Sequence, residues 1–374
     1  MDRGLNMHRS AHDRIDRLQH TLRRKRIDAL LVTQPHNRRY LSGYTVPDHG
    51  IQESSGVLLI PATGRPYLLT DSRFTLQAEA EAPSFQVDRY DKGLLKLLEK
   101  LAAALDLRTL AFESDYMLHA TYLRLVSMAE KRSLTLKAES GLIESMRAIK
   151  SDSELHRLRA STRLNEKVFQ SVFNTIEPGM TEREIALALD LTMREMGAES
   201  PSFDTIVAFG TNAARPHAVP TDRELQAGDL VLVDMGLVYQ GYCSDMTRTF
   251  VVGKPDQTFL DRHRLVRRAM LAGIEAIRAG VTGVAVDRAA RQVLRDGGYA
   301  AFFGHGLGHG VGMAVHEAPR LSPRYRKQLQ ANMVVTVEPG IYLADWGGIR
   351  LENMVIVGEQ GCEVLNQDTT FLDL

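Results

Sequence analysis

The segment DMGLVYQGYCSDMTRTF, residues 234–250, determines how the second half of the chain folds. It follows the apolar run LVLV, so Asp234 ends a buried strand, where a lone carboxylate costs several kcal/mol unless it is paired or bound to a metal. The residues after it predict a strand, a turn near Gln240 and a returning strand. Pairing Asp234 with Asp245 across this hairpin sets the two carboxylates about 5 Å apart, where they repel each other unless a cation binds them.

A second pair of acids follows the same pattern further along the chain. Glu338 ends the run VVTVE and Glu352 lies in GIRLEN, and the segment between them predicts another hairpin or a wide loop. His309 lies in GHGLGHGVG (304–312), whose five glycines would let the backbone approach a site closely. Four carboxylates balance the charge of two divalent cations, and such oxygen-rich ligands favour Mn(II) over metals that prefer thiolates. Five ligands are too few for two closed coordination spheres, so bridging carboxylates and a shared water are expected.

Each of these residues also has a plainer interpretation. A single Asp or Glu at a strand end is more often exposed or salt-bridged, and one His in a glycine-rich loop is more often structural. Spacing alone therefore leaves open whether the five residues form one metal site.

The composition indicates an ordinary globular protein of two or three domains. The 374 residues include 46 Lys and Arg and 46 Asp and Glu, so the chain lacks the basic excess typical of nucleic-acid binders. No apolar run approaches the roughly 18 residues that span a bilayer, and the N-terminal segment lacks the apolar core of a secretory signal. The two cysteines favour a reduced compartment. We therefore expect a cytoplasmic protein without nucleic-acid or membrane partners.

The order of helical and extended patterns predicts two domains. Strands and helices alternate over residues 1–142, which predicts a smaller three-layer α/β domain. Beyond it, capping boxes at Ser151 and Thr181 begin helices, and short strands bounded by glycine and proline come after them. Residues 143–374 are therefore predicted to form a strongly bent, antiparallel sheet with flanking helices, which makes the overall class α+β.

The motifs resemble those of the pita-bread metallopeptidases, specifically the Xaa-Pro aminopeptidase and prolidase family. The matching strings are the 234–250 segment together with FDTIVAFGTNAARPHAVP (203–220), GHGLGHGVGMAVHE (304–317), TVEPGIY (336–342) and GIRLEN (348–353). The N-terminal region resembles the creatinase-type domain of the same family less specifically. The resemblance implies a pita-bread catalytic domain preceded by a creatinase-like domain.

The resemblance also implies a set of metal ligands. Asp234 and Asp245 would chelate one ion, and Asp245 and Glu352 would bridge to a second ion that His309 and Glu338 complete. Two divalent ions per chain are expected, Mn(II) first, with Co(II), Zn(II) or Fe(II) as alternatives. Glu338 would also carry a proton from the bridging water to the leaving amine.

Further residues match the family positions that contact the substrate. His217 and His316 are expected to take part in catalysis with Glu338, and His316 would donate a hydrogen bond to the scissile carbonyl. The predicted substrate-binding residues are His217, His305, His316, Arg350 and Tyr342. Asn353 departs from the pattern, because many family members have Asp there, but the change removes no ligand.

The predicted activity is hydrolysis of the bond between an N-terminal residue and a proline in second position. We expect an Xaa-Pro aminopeptidase, because the motif region shows no insertion that would close the far side of the cleft. The alternatives are an Xaa-Pro dipeptidase (prolidase) and, more distantly, a non-catalytic pita-bread binding module. The intact ligand set argues against that module and against a metal-free, creatinase-like C–N hydrolase. The resemblance also implies a homodimer.

Overall fold

The computed structural model describes residues 2–374, with side chains described from residue 11 onward. The chain forms two compact units, Met1–Met146 and Arg147–Leu374. The domain boundary predicted after residue 142 falls at the first residue of a helix, Leu142–Ala148.

The first unit is built on a six-stranded mixed sheet. Its strands are β1 (Ala29–Val32), β2 (Val57–Pro61), β3 (Tyr67–Thr70), β4 (Gln86–Arg89), β5 (Thr109–Glu113) and β6 (Thr135–Glu139). Its helices are α1 (Asp2–Lys25), α2 (Pro35–Ser42), α3 (Thr75–Glu81), α4 (Leu94–Ala104), α5 (His119–Lys131) and most of α6 (Leu142–Ala148), whose last two residues belong to the second unit, with a 3-10 helix at Ser114–Tyr116. The strand order is β4-β3-β2-β1-β5-β6, and β1 pairs antiparallel with β2 but parallel with β5. Every residue of β1 and β2 is buried, so both faces of the sheet are covered, as in the predicted α/β domain.

The second unit combines four helices with short antiparallel strands. The helices are α7 (Asp152–Phe173), α8 (Glu182–Glu195), α9 (Gln257–Glu275) and α10 (Gly283–Asp296), with 3-10 helices at Gly210–Ala214 and Ala300–Phe302. The strands are β7 (Ser200–Pro201), β8 (Ile206–Phe209), β9 (Leu230–Met235), β10 (Leu237–Tyr239), β11 (Tyr242–Cys243), β12 (Met246–Val251), β13 (Gly308–Gly310), β14 (Glu317–Leu321), β15 (Val334–Val337), β16 (Gly340–Leu343), β17 (Gly347–Arg350), β18 (Asn353–Val357) and β19 (Cys362–Val364). They form the sheets β11-β10-β7, β12-β9-β8, β14-β13-β15-β18-β19 and β16-β17, in which all pairings are antiparallel.

Strand β9 is buried on both faces, and its alternate residues lie in two different cores. Val231 and Val233 pack in a core with residues of α7 and α8. Leu230 and Leu232 pack in a second core with residues of α9 and α10. Because alternate strand residues share a face, Asp234 continues the face of Leu232. Helices therefore flank this antiparallel sheet, which confirms the predicted α+β architecture.

The helices of the second unit begin where their sequence patterns predict. Glu154 closes the box at the start of α7 by accepting a hydrogen bond from the Ser151 N–H at 3.0 Å. Glu184 does the same at the start of α8, accepting from the Thr181 N–H at 2.8 Å. Over the part of the chain that the structure describes, no helix combines the length and apolar character needed to cross a membrane.

Candidate active site

The first acidic pair lies on the hairpin built around β9 and β12, and its register corrects the prediction. Asp234 lies opposite Thr247 rather than opposite Asp245. The turn is therefore Gln240-Gly241, one residue further than predicted, with φ of 50° and 79° at these residues. Positive φ at both positions is typical of the tight turns that match the twist of a hairpin. Asp245 falls in the break between β11 and β12, diagonally across from Asp234 on the same face.

The second acidic pair lies at a matching break between two hairpins. β15 pairs with β18, β16 pairs with β17, and one continuous register runs through both pairings. Because Val337 pairs with Asn353, continuing that register by one residue sets Glu338 opposite Glu352. Of the two predicted alternatives between these acids, a hairpin or a wide loop, the structure has the hairpin.

Strand β13 carries His309 between two neighbouring strands. A Cβ on Gly308 would lie 2.0 Å from the carbonyl oxygen of Thr336, and one on Gly310 would lie 2.2 Å from that of Ala318. Because these two residues have no side chain, the backbone of β13 packs directly against the backbones of its neighbours. They position His309 through close backbone packing of β13 on its neighbours, whereas the sequence analysis expects a close approach of the backbone to a site.

These elements bring the predicted metal ligands together around one cavity of about 570 Å³. Asp245, His309 and Glu352 each place a ligand atom within 4.8 Å of the other two. His309 Nε2 also lies 3.3 Å from Glu338 Oε1 and 3.6 Å from Asp245 Oδ2. This cluster therefore combines side chains that could hold a metal ion.

Asp234 lines the same cavity and is held by Arg350. Its Oδ2 accepts a hydrogen bond from Arg350 Nη2 at 2.6 Å. The other oxygen of Asp234, Oδ1, is buried without a hydrogen-bond partner among the described residues, and so is Glu352 Oε1. Buried carboxylate oxygens are costly when they have neither a donor nor a cation. This set of oxygen donors with one imidazole therefore fits hard divalent ions.

Crowding shifts the protonation of the clustered groups. Burial, followed by the charges of Glu352 and Asp234, raises the pKa of Asp245 well above its ordinary value. Burial raises the pKa of Glu338 to about 7, although the charge of Arg350 opposes this shift. Burial lowers the pKa of His309 to about 3, so its ring is neutral near pH 7 and can offer a nitrogen lone pair to a metal.

Glu352 is also held by hydrogen bonds from Thr247 and Arg248, which do not line the cavity. Thr247 Oγ1 donates a hydrogen bond to Glu352 Oε2 at 2.7 Å, and Arg248 Nη1 donates to the Glu352 carbonyl oxygen at 2.7 Å. The second Arg248 nitrogen, Nη2, donates to Asn353 Oδ1 at 3.2 Å. Asn353 therefore supplies a neutral acceptor to a fully buried arginine.

The three other predicted histidines line the cavity in different environments. His305 Nε2 lies 2.9 Å from Tyr342 Oη, and burial lowers the pKa of His305 to about 4. His316 is exposed, with its ring edge-on to that of His309 at a centroid distance of 4.3 Å. His217 is exposed in the segment after a 3-10 helix.

Tyr342 and Arg350 form a hydrogen-bonded pair beside these histidines. Arg350 Nη1 donates to Tyr342 Oη at 2.8 Å and to the Pro216 carbonyl oxygen at 3.2 Å. Arg350 lines the cavity, whereas Tyr342 lies behind it. Tyr342 contacts Arg350 and His305 in this structure, and its contact with substrate stays a prediction.

Arg320 is a cavity residue that the sequence reasoning missed. It lies on β14, opposite His309 in the register, and its side chain is exposed at the cavity. No described residue forms an ion pair or a hydrogen bond with its guanidinium. The sequence pattern that could have identified Arg320 is the period of two in an extended segment, which sets Arg320 on the same face as His316.

Glu317, the neighbour of His316, is anchored by two buried cations. Arg147 Nη2 donates to one of its oxygens at 2.5 Å, and Lys150 Nζ donates to the other at 2.8 Å. The three side chains, which we call the Glu317 cluster, are at most 7% exposed. Burial alone would raise the pKa of Glu317, but Lys150 and Arg147 hold it below its ordinary value. The cluster fixes the start of β14.

The chain is similar to known proteins along most of its length. Residues 156–359 match Metallopeptidase family M24, and residues 14–149 match the Creatinase/Prolidase N-terminal domain. The solved Xaa-Pro dipeptidase from Bacillus anthracis has a TM-score of 0.89 and 36% identity, covering 96% of this chain and 98% of that one. The X-Pro aminopeptidase from Thermotoga maritima MSB8 has a TM-score of 0.84 and 36% identity, covering 91% and 96%. The Xaa-Pro dipeptidase of Pyrococcus horikoshii is 31% identical over 95% of this chain and 97% of its own length.

Proposed function

This chain belongs to metallopeptidase family M24, and we propose that it is an Xaa-Pro dipeptidase. The observation that carries this choice is Arg320, a cavity arginine without a carboxylate partner among the described residues. In an Xaa-Pro dipeptide the proline bears the free carboxylate, whereas in a longer peptide the same position is a neutral amide. Guanidinium binds carboxylate through two parallel hydrogen bonds, so Arg320 favours the dipeptide.

Relatives named as Xaa-Pro dipeptidases support the same choice. The aminopeptidase predicted from the sequence stays the second candidate, and the similarity to the Thermotoga maritima X-Pro aminopeptidase supports it. Both activities act at the first peptide bond of a substrate with proline in second position. They differ in the group on the proline carbonyl carbon, a free carboxylate oxygen or a further residue, and this is the part of the substrate that Arg320 would meet.

We further propose that Asp234, Asp245, His309, Glu338 and Glu352 hold two divalent ions. The unpartnered buried oxygens of Asp234 and Glu352 and the raised pKa of Asp245 both favour the binding of positive charge here. Mn(II) suits these ligands best, with Co(II), Zn(II) or Fe(II) as alternatives. Bound there, the ions would polarise the scissile carbonyl and lower the pKa of a water.

The remaining steps belong to the side chains of the cavity. Glu338 accepts a proton from the attacking water and delivers it to the proline nitrogen as the bond breaks. His316 donates a hydrogen bond to the carbonyl oxygen while negative charge develops there. His305 and His217 line the wall that would meet the proline ring, and Arg350 keeps Asp234 oriented.

Metal dependence is the first test of this proposal. Elemental analysis of active, buffer-exchanged protein is expected to find two divalent ions per chain, because four crowded carboxylates repel one another without them. EDTA is expected to abolish activity, and added Mn(II) to restore it. Full activity in EDTA, with no stoichiometric metal, would contradict the proposed chemistry.

The Arg320→Met variant tests the choice of substrate. We expect kcat/KM for an Xaa-Pro dipeptide to fall about 10- to 100-fold, because a hydrogen bond to a charged group contributes roughly 1.5–3 kcal/mol. Hydrolysis of the corresponding Xaa-Pro amide is expected to be slow and unaffected by the substitution. Arg324→Met, at an exposed arginine shortly after β14, is the matched control. An Xaa-Pro-Xaa tripeptide cleaved by the unmodified protein as fast as the dipeptide would favour the aminopeptidase instead.

A further inference from the structure

The segment between β8 and β9 carries His217 to the cavity. We call residues 210–221 the His217 loop. Five consecutive residues of this loop line the cavity, from Pro216 to Pro220, and Val219 is 76% exposed. Apart from the 3-10 helix Gly210–Ala214, the loop has no regular structure. Its position therefore depends on the groups that hold its ends.

Glu182, the first residue of α8, holds both ends of the His217 loop. Its side chain is fully buried, and its oxygens accept four hydrogen bonds. Oε1 accepts from the Phe209 N–H at 2.6 Å, immediately before the loop. Oε2 accepts from Asn212 Nδ2 at 2.9 Å, and from the N–H and hydroxyl of Thr221 at 2.8 and 2.6 Å. One carboxylate thus joins the beginning and the end of the loop.

The cap of α8 does not require this carboxylate. Thr181 and Glu184 form the capping box, in which Thr181 Oγ1 accepts from the Glu184 N–H at 3.1 Å. None of the four donors to Glu182 comes from α8. A buried carboxylate is costly unless its oxygens are hydrogen-bonded, so the loop and Glu182 stabilise each other.

The cavity side of the loop has its own contacts. Arg350 Nη1 donates to the Pro216 carbonyl oxygen at 3.2 Å. Gly348 lets β17 approach the loop backbone, because a Cβ there would lie 2.1 Å from the Ala213 carbonyl oxygen. With Glu182 at both ends and Arg350 at the middle, the loop presents His217 from a fixed position.

We infer that Glu182 is a positioning residue that acts through His217. This inference rests on the proposed function, since His217 contacts substrate only in that proposal. Glu182→Gln keeps the side-chain volume but replaces one acceptor oxygen with an NH₂ group. Whichever way the amide is oriented, its NH₂ group faces the backbone N–H of either Phe209 or Thr221. That N–H then loses its acceptor. The side-chain attachment of the loop ends should then loosen, while the backbone hydrogen bond from the Arg183 N–H to the Thr221 carbonyl oxygen, at 3.2 Å, remains.

Hydrogen exchange measures this loosening without any substrate. In Glu182→Gln we expect the amide of Phe209 or of Thr221, whichever faces the new NH₂ group, to exchange at least about tenfold faster than in the unmodified protein, because it loses protection with its acceptor. Glu184→Gln is the matched control, with an exposed carboxylate two residues along the same helix, and its loop exchange should be unchanged. Unchanged exchange in Glu182→Gln would overturn the inference.

Kinetics on an Xaa-Pro dipeptide then test whether the effect passes through His217. Glu182→Gln is expected to lower kcat/KM about tenfold or more, since small displacements of a substrate-contacting group are costly. In a His217→Ala background the same substitution is expected to cost less than about twofold, because coupled residues are not additive. If the fold-losses in kcat/KM of the two single variants multiply in the double variant, the inference is overturned. If the unmodified protein cleaves no Xaa-Pro substrate, the proposed function fails, and the exchange measurement alone decides the role of Glu182.

Discussion

Glu338 differs from the other acids of the cavity in its surroundings. Thr336 Oγ1 donates a hydrogen bond to its Oε1 at 3.0 Å, and burial raises its pKa to about 7. Asp234 is instead bonded directly to Arg350. A group with a pKa near neutrality can both accept and release a proton at neutral pH, which suits general acid–base catalysis. The contact of Glu338 with Thr336 and its position at the cavity are compatible with its proposed role as the group that moves the proton.

Glu338→Gln removes the titrating group while it keeps the shape of the side chain. We expect kcat to fall roughly 10²- to 10⁴-fold, the usual contribution of a positioned acid–base group. Metal content must be measured in the same samples, because Glu338 is also a proposed ligand. A variant that keeps both its metal and its kcat would show that another group carries the proton.

The two hairpins show how far elements could be predicted from the sequence. The strands, the turn regions and the acids they carry were predicted correctly, because apolar alternation and glycine positions are local signals. The predicted pairing of Asp234 with Asp245 is wrong, because that pairing requires a turn centred between Tyr239 and Gln240. The left-handed backbone at Gln240-Gly241 moves that centre by one residue. A tight turn thus sets a register that strand patterns alone do not specify.

Other features of the site depend on which strands become neighbours. Arg320 reaches the cavity because β14 pairs with β13, and Gly308 is needed because β13 lies against β15. Glu182 and Thr221 are bonded although 39 residues separate them in the chain. No local pattern contains these contacts, so sequence reasoning identified the cavity acids and histidines but not their supports.

Gly241→Ala tests the turn of the first hairpin. A side chain at φ 79° is in the left-handed region, so we expect the free energy of unfolding to fall by about 1–2 kcal/mol. Urea unfolding measures the change. Gly361→Ala is the control, because a Cβ there meets no atom within 4 Å and the residue does not have a left-handed φ. Equal losses in both variants would mean that the turn conformation is not the cause.

At the scale of the second unit, His263 joins α9 to the end of the chain. Its side chain is fully buried, and its Nε2 lies 2.8 Å from the Phe371 carbonyl oxygen. The Phe371 ring packs against Phe250 and Phe173, at centroid distances of 4.4 and 4.7 Å. Burial lowers the pKa of His263 to about 4. The fold therefore contains a histidine that must stay neutral.

This histidine predicts a loss of stability in acid. The folded state holds the pKa of His263 at about 4, below the roughly 6.5 of an unfolded histidine, so the unfolded state binds the proton first. Its contribution is complete above about pH 6.5 and falls as the pH drops toward 4, by at most about 1.4 kcal/mol per unit. His263→Gln keeps a donor near Phe371 but cannot titrate. Urea unfolding at several pH values should show a shallower dependence in this variant, and parallel curves would contradict the prediction.

The Glu317 cluster limits where the second unit can be cut from the first. Arg147 and Lys150 lie at the very start of that unit, ahead of α7, whereas Glu317 lies far along the chain. A fragment that begins at residue 156, where the family match begins, keeps the acid and loses both bases. An orphaned buried charge costs about 3–5 kcal/mol, against a total stability of about 5–15 kcal/mol for a typical domain. Autonomous folding of the catalytic half should therefore require a cleavage point upstream of Arg147.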